Sequence, residues 1–267
     1  MDHRTECRPV DIAVTTHGEL PGAADYARDK IGRLVRYTHQ PVLHARVKLS
    51  KHQDPAVPRP VVAQGNLDVN GRQLRAQVQA ETAREAVDRL ETRLRRRLQR
   101  ITEHAQTRHA GAAAPAQLRP WRHQSEPTPR PGFFPRPADQ RRVIRRKSFA
   151  MRPSTVDEAA LEMELLDYDF HLFTESATGA ASVLYRSGDT GYRLALLTPD
   201  LAAQLAPFEL PVTISRQPVP CLTEDQAIER IALLNVPFLF FIDAAYGRAN
   251  VLYHRYDGHY GLITPSG

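Results

Sequence analysis

Residues 155–192 can be laid on residues 223–260 without a gap, at a constant displacement of 68 positions (223 minus 155). Thr155/Thr223, Asp157/Asp225, Ala159/Ala227, Leu165/Leu233 and Leu166/Leu234 coincide. So do Phe170/Phe238, Phe173/Phe241, Gly179/Gly247, Val183/Val251, Leu184/Leu252, Tyr185/Tyr253, Asp189/Asp257 and Tyr192/Tyr260. A displacement held this long is the mark of a duplicated domain, and it fixes the C-terminal half as two α+β units at 143–199 and 211–265. Each copy opens a helix with a capping box, Thr155-x-x-Glu158 or Thr223-x-x-Gln226. An aromatic strand follows, then a turn at Gly179 or Gly247, then a hairpin ending in Leu-x-Thr-Pro. Units of about 55 residues bury only a marginal core, so each copy is expected to pack on a partner.

The residues expected to pack the copies together are Phe170, Leu172, Phe173, Val183 and Tyr185 in the first and Phe238, Phe240, Phe241, Val251 and Tyr253 in the second. The copies are not equivalent. The first alternates Asp169 and His171 with Tyr168, Phe170 and Leu172, whereas the second places Pro237, Leu239 and Phe241 between Val236, Phe238 and Phe240. The second strand is thus apolar on both faces and needs fuller cover. A pseudo-twofold pair within one chain is expected, with a homodimer between chains as the alternative.

Upstream, Pro115, Pro120, Pro127, Pro129, Pro131, Pro135 and Pro137 mark residues 110–142 as a Pro/Arg-rich flexible linker, with Phe133-Phe134 its only paired aromatics. Residues 9–109 read as β-α-β-β-β-α, a sheet with two helices on one face. Val10 to Thr15 alternates like a strand, and Pro21 to Thr38 gathers Ala24, Ala27, Ile31, Leu34 and Val35 on one helical face. Leu43, Ala45, Val47 and Leu49 then alternate with polar neighbours. Asn70-Gly71 joins two alternating runs as a hairpin. Thr82 to Gln106 is a long helix with Ala83, Val87, Leu90, Leu94, Leu98 and Ile101 on its buried stripe.

Charge separates the halves. The net +6 is +14 over residues 1–147 (29 Lys+Arg, 15 Asp+Glu) and −8 over 148–267 (7 and 15). Such asymmetry points to a nucleic-acid-binding half joined to an acidic body. All but four of the 36 basic residues are arginine, whose planar fork bonds two phosphate oxygens at once. No apolar run approaches a bilayer span. The start Met1-Asp2-His3-Arg4 lacks a secretory h-region, and Cys7 and Cys221 form no metal or disulfide pattern. A cytoplasmic location and no membrane partner are expected.

Enzymatic motifs are missing. The histidines make no His-Glu-x-x-His or Cys/His cluster, and no phosphate-cradling glycine run or Gly-x-Ser-x-Gly elbow occurs. No catalytic residue, metal or cofactor is expected. Glu162, Glu164, Asp167 and Asp169 read as a solvated helix face, and His254, Asp257 and His259 as turn residues. The basic helix differs. At 100° per residue, Arg89, Arg93, Arg96 and Arg100 form one ridge at i, i+4, i+7 and i+11, with Arg97 at its edge. No acid interrupts the ridge, although lined-up cations repel one another. Nucleic-acid binding is the expected use. Lys30, Arg33 and Tyr37 share a flank of the first helix and would extend this patch if the two helices lie side by side.

Taken together, Tyr26-Ala-Arg-Asp-Lys30-Ile-Gly-Arg33-Leu, the Val69-Asn-Gly71 hairpin and the run from Glu85 to Arg100 resemble the ribosome-binding domain of the bacterial hibernation-promoting factors, also called ribosome-associated inhibitors. Residues 158–170, Val183-Leu-Tyr-Arg186 and Tyr260-Gly-Leu-Ile-Thr-Pro265 resemble the C-terminal domain of that family's long form. The resemblance implies a non-enzymatic factor that binds 16S rRNA in the decoding region of the 70S ribosome and keeps mRNA and tRNA out. It assigns rRNA contact to Lys30, Arg33, Arg93, Arg96 and Arg100, to which the ridge adds Arg89 and Arg97. Ordinary long forms carry one C-terminal domain. Two copies resemble the duplicated mycobacterial and actinobacterial form associated with hypoxia and dormancy. The implied outcome is arrest and stabilisation of 70S ribosomes under stress; the alternatives are a sigma-factor-modulating scaffold and a factor that dimerises ribosomes through its repeats.

Overall fold

The computed structural model describes residues 10–36, 41–53, 57–109, 136–187, 191–255 and 258–266. The chain divides into two compact units, residues 1–128 with the short segment 164–167, and residues 129–163 with 168–267. Phe133, Phe134, Tyr37, Asp189, Asp257 and most of the expected linker lie outside the described residues.

The first unit runs β1 (Ile12–His17), α1 (Ala23–Arg36), β2 (Val42–Lys51), β3 (Val61–Val69), β4 (Arg72–Ala80) and α2 (Ala83–His109). Strand order is β1-β2-β3-β4, with β1 parallel to β2 and the others antiparallel. A parallel neighbour needs a crossover, which α1 supplies; the later strands need only hairpins. At the β3–β4 turn Asn70 and Gly71 take φ values of 52° and 81°, and the Gly71 amide donates to Asp68 Oδ1 at 2.8 Å. Two positive φ angles in a two-residue turn match the twist of the strands it joins.

Ala27 and Ile31 of α1, Ala45, Val47 and Leu49 of β2, Leu67 and Leu74 of the hairpin, and Leu90 and Leu94 of α2 are all fully buried. Both helices therefore lie on one sheet face, as the patterning requires. Gly65 lets α2 approach, since a Cβ there would stand 3.0 Å from Leu94 Cδ1. One expected core residue is displaced. The β2–β3 register shifts between Val42 and His44, so Val42 is buried and Leu43 is 62% exposed. An extra residue at a bulge reverses the alternation that a regular strand would keep.

The second unit opens with a 3-10 turn (Ala138–Gln140), followed by β5 (Val143–Phe149), β6 (Pro153–Ser154), α3 (Val156–Leu165), β7 (Phe170–Glu175), β8 (Ala181–Ser187) and β9 (Gly191–Leu196). A 3-10 segment at Pro199–Gln204 leads to β10 (Val212–Ile214), β11 (Cys221–Leu222), α4 (Glu224–Leu234), β12 (Phe238–Asp243), β13 (Ala249–His254) and β14 (Tyr260–Pro265). Both capping boxes form: the Thr155 amide donates to Glu158 at 3.2 Å and the Thr223 amide to Gln226 at 2.9 Å, with the reciprocal bonds present.

The two sheets do not respect the repeat boundaries. Their orders are β10-β9-β8-β7-β6 and β11-β12-β13-β14-β5. β5, which opens the first repeat, lies parallel to β14 of the second, and β10, which opens the second, lies parallel to β9 of the first. Under the 68-residue displacement β5 and β10 are equivalent strands, so each repeat gives its leading strand to the other's sheet. One face of the second sheet is covered by Ala227 and Ile231 of α4 packed on Leu239, Phe241, Leu252, Tyr260 and Leu262. The other face meets the first sheet through Leu172, Val183, Phe240, Ala249 and Val251.

Candidate nucleic-acid interface

α2 carries its apolar stripe against β3 and β4 and turns the arginine ridge toward the outer edge of β4. The carbonyls of an edge strand have no ladder partner on their free side, and the ridge uses them. Arg89 Nη1 donates to the Gln79 carbonyl at 3.0 Å and Arg93 Nη1 to the Gln77 carbonyl at 3.2 Å. Arg89 also pairs with Glu85 one turn back at 2.6 Å. Arg96 is exposed and has no ion-pair partner among the described residues.

The remaining ridge residues are held by the 164–167 segment of the same unit. Asp167 Oδ1 accepts from Arg93 Nη2 at 3.1 Å and from Arg97 Nη2 at 2.8 Å, and Arg100 pairs with Glu164. Arg97 is only 2% exposed, and burial lowers its pKa against the upward pull of Asp167. Glu164 and Asp167 are themselves buried, so they are not the solvated acids that the sequence suggests; Glu162 is. The reason is their long-range pairing with Arg93, Arg97 and Arg100; the left-handed turn alone does not bury Asp167 (φ 55°), since Asn235 takes φ 49° at the equivalent place past α4 and is exposed.

Lys30 and Arg33 project from α1, which packs beside α2. Lys30 Nζ lies 2.7 Å from Asp88 Oδ1, which also accepts from the Tyr26 hydroxyl at 2.8 Å. The hydrogen bond from Lys30 is the main cause holding the Asp88 carboxyl below its ordinary value. Arg33 pairs with Asp29 at 2.9 Å. Asp88 is on the α1 side of α2 and Arg93 on the β4 side, so Lys30 stands across α2 from the ridge. The basic surface is therefore two flanks of one helix rather than one patch. Arg84, placed 4.9 Å over the Tyr26 ring, joins the α1 flank and escaped the ridge pattern because it lies on the opposite helical face.

The expected repeat-packing residues divide by strand face. Phe170 stacks on Phe238 at 4.6 Å between ring centroids, with Tyr253 5.8 Å from Phe170 and Tyr185 5.3 Å from Phe238. Leu172, Val183, Phe240 and Val251 continue this cluster. Phe173 and Phe241 fall on the opposite faces of their strands, Phe241 beneath α4. His254 lies buried in β13 beside Tyr260 instead of in a turn, and burial pushes its pKa down to about 4. Glu175, fully buried, was not singled out by sequence. It accepts from the amides of Ala177, Thr178 and Ala206 and so ties two loops together. Among the described residues no His, Cys, Asp and Glu group could hold a metal, and no helix is long and apolar enough to cross a membrane.

Comparison with known proteins follows the same division. Residues 20–106 match the family described as Sigma 54 modulation protein / S30EA ribosomal protein. Residues 138–194 and again 212–262 match the Sigma 54 modulation/S30EA ribosomal protein C terminus. The chain is 44% identical over 131 residues to the "Dormancy associated translation inhibitor" of Mycobacterium tuberculosis, covering 47% of this chain and 48% of that protein. It thus spans about half the length of that relative. A "Ribosome hibernation promotion factor" from Picosynechococcus is 27% identical over 171 residues, 63% of this chain and 86% of that one. The N-terminal domain of Thermus thermophilus Protein Y matches 34% of this chain and 97% of its own at 24% identity, with a TM-score of 0.28. One N-terminal match and two successive C-terminal matches show that the chain belongs to the Sigma 54 modulation / S30EA ribosomal protein family, in its long form with a duplicated C-terminal domain.

Proposed function

We propose that this protein is a ribosome hibernation factor that inhibits translation without catalysing a reaction. Its N-terminal domain would bind 16S rRNA in the small-subunit decoding region, exclude mRNA and tRNA, and stabilise 70S ribosomes in dormancy. The observation that carries this reading is the row of arginines on α2, Arg89, Arg93, Arg96, Arg97 and Arg100, gathered beside the edge strand β4. Fixed cations on a rigid helix suit a folded RNA cleft, which is recognised by shape and phosphate position. The names of the two relatives, a translation inhibitor and a hibernation factor, agree with it.

In this reading RNA phosphates replace Glu164 and Asp167 on Arg93, Arg97 and Arg100, and meet Arg89 and Arg96 directly. Lys30 and Arg33 contact RNA on the other flank. About six phosphate contacts would weaken binding by ~10³ between 50 and 200 mM salt. Pelleting with purified ribosomes tests this. The double variant Arg89→Ala/Arg96→Ala removes side chains outside the core and should fold normally yet bind several-fold more weakly, with a shallower salt dependence. Unchanged binding would contradict the assignment.

The internal repeat pair belongs to the same reading. The Phe170–Phe238 stack and the cluster around Val183 and Val251 support a pair closed within one chain. Such a pair leaves that surface unavailable for joining two ribosomes, so single 70S particles are the expected product. The family description also carries sigma-54 modulation, and co-sedimentation with RNA polymerase instead of ribosomes would favour that reading.

A further inference from the structure

Both helices lie on one face of the N-terminal sheet, and the other face carries neither. Strand register arranges its side chains in cross-strand rows. Thr15, Lys48, Gln64 and Gln77 form one row, and Ala13, Arg46, Asn66 and Arg75 the next. His44, Asp68 and Gln73 lie beyond the second, and His17, Ser50, Val62 and Gln79 beyond the first. His17, His44, Arg46 and Lys48 are exposed, while Arg75 reaches across to Gln64 and Gln77 at 3.5 and 3.3 Å.

An outward sheet face is ordinarily polar, but it normally mixes charge signs. Here the four strands contain a single carboxylate, Asp68, and the hairpin consumes it: Oδ1 accepts from the Gly71 amide and Oδ2 from Gln73 Nε2, each at 2.8 Å. What remains on this face is Arg46, Lys48 and Arg75, two histidines and a lattice of carboxamides that both donate and accept hydrogen bonds. Neighbouring cations without acids between them repel, so the face is most stable against a polyanion.

We infer that the open face of the β1–β4 sheet is a second RNA-binding surface, with Arg46, Lys48 and Arg75 meeting phosphates and the Gln/Asn rows meeting ribose hydroxyls and base edges. It rests on the proposed ribosome binding and deepens it. The N-terminal domain would then be held between two RNA walls, one against α2 and one against the sheet. Amide rows suit RNA because the 2′-hydroxyl is both donor and acceptor.

The test is ribosome pelleting of the full chain with Arg46→Gln/Lys48→Gln beside Arg89→Ala/Arg96→Ala. Both exchanged residues on the sheet are exposed, and circular dichroism checks the fold. Loss of two phosphate contacts should lower the salt slope by about two, reducing the affinity change between 50 and 200 mM salt by roughly tenfold. If the sheet variant binds like wild type while the helix variant weakens, the second surface is wrong and ribosome binding stands. If neither weakens, ribosome binding through this domain is wrong as well. A photo-crosslinker at position 48 supplies the chemical identity. An adduct to rRNA supports the inference, and adducts to ribosomal proteins alone overturn it.

Discussion

Arg97 shows how far residue identity and residue environment can separate. Helical periodicity gives the angular positions of the ridge, because 100° per residue is set by backbone geometry whatever surrounds it. It could not reveal that Arg97 would be buried against Asp167, since that depends on residues 70 positions away in sequence. Leu43 failed for a different reason: alternation assumes a regular strand, and a bulge has no reliable sequence signature. His254 supplies a prediction at this scale. Its folded pKa lies near 4, below the ordinary 6.5, so the unfolded chain takes up a proton that the folded chain refuses. Stability is complete above about pH 6.5 and falls as the pH drops toward 4, by up to about 3 kcal/mol. Urea denaturation at pH 7 and pH 5 should show this loss in wild type, and His254→Gln should flatten it. An unaltered pH dependence in the variant would assign the loss elsewhere.

Among elements, helices and hairpins were legible because their signals are local: two capping boxes, Asn70-Gly71, and apolar stripes. The reciprocal transfer of β5 and β10 was not. Neither was singled out as a strand in the sequence, and nothing local says which sheet will receive them. The exchange makes the two repeats mutually dependent. β5 covers the edge of β14, brings Val143 to the cluster beneath α4, and pairs Arg146 with Glu224 through two bonds of 2.7 and 2.8 Å. A fragment of residues 136–267 should therefore sediment as a compact monomer at micromolar concentration. A fragment of residues 150–267, with the β14 edge uncovered, should melt at lower temperature and self-associate. Equal behaviour of the two fragments would show that β5 is dispensable.

At the scale of the whole molecule the chain has a basic half and an acidic duplicated half, and this polarity was readable from charge sums alone. Composition alone does not tell whether the duplication joins ribosomes or prevents joining; a self-contained aromatic pair argues for the second. Sucrose-gradient sedimentation of 70S ribosomes with the purified full chain tests the central claim most directly. At low salt the protein should travel with the 70S peak, no ribosome-dimer peak should form, and raising the salt to 200 mM or more should release most of it. Protein remaining at the top of the gradient under low salt, with the 70S peak bare, would contradict the account.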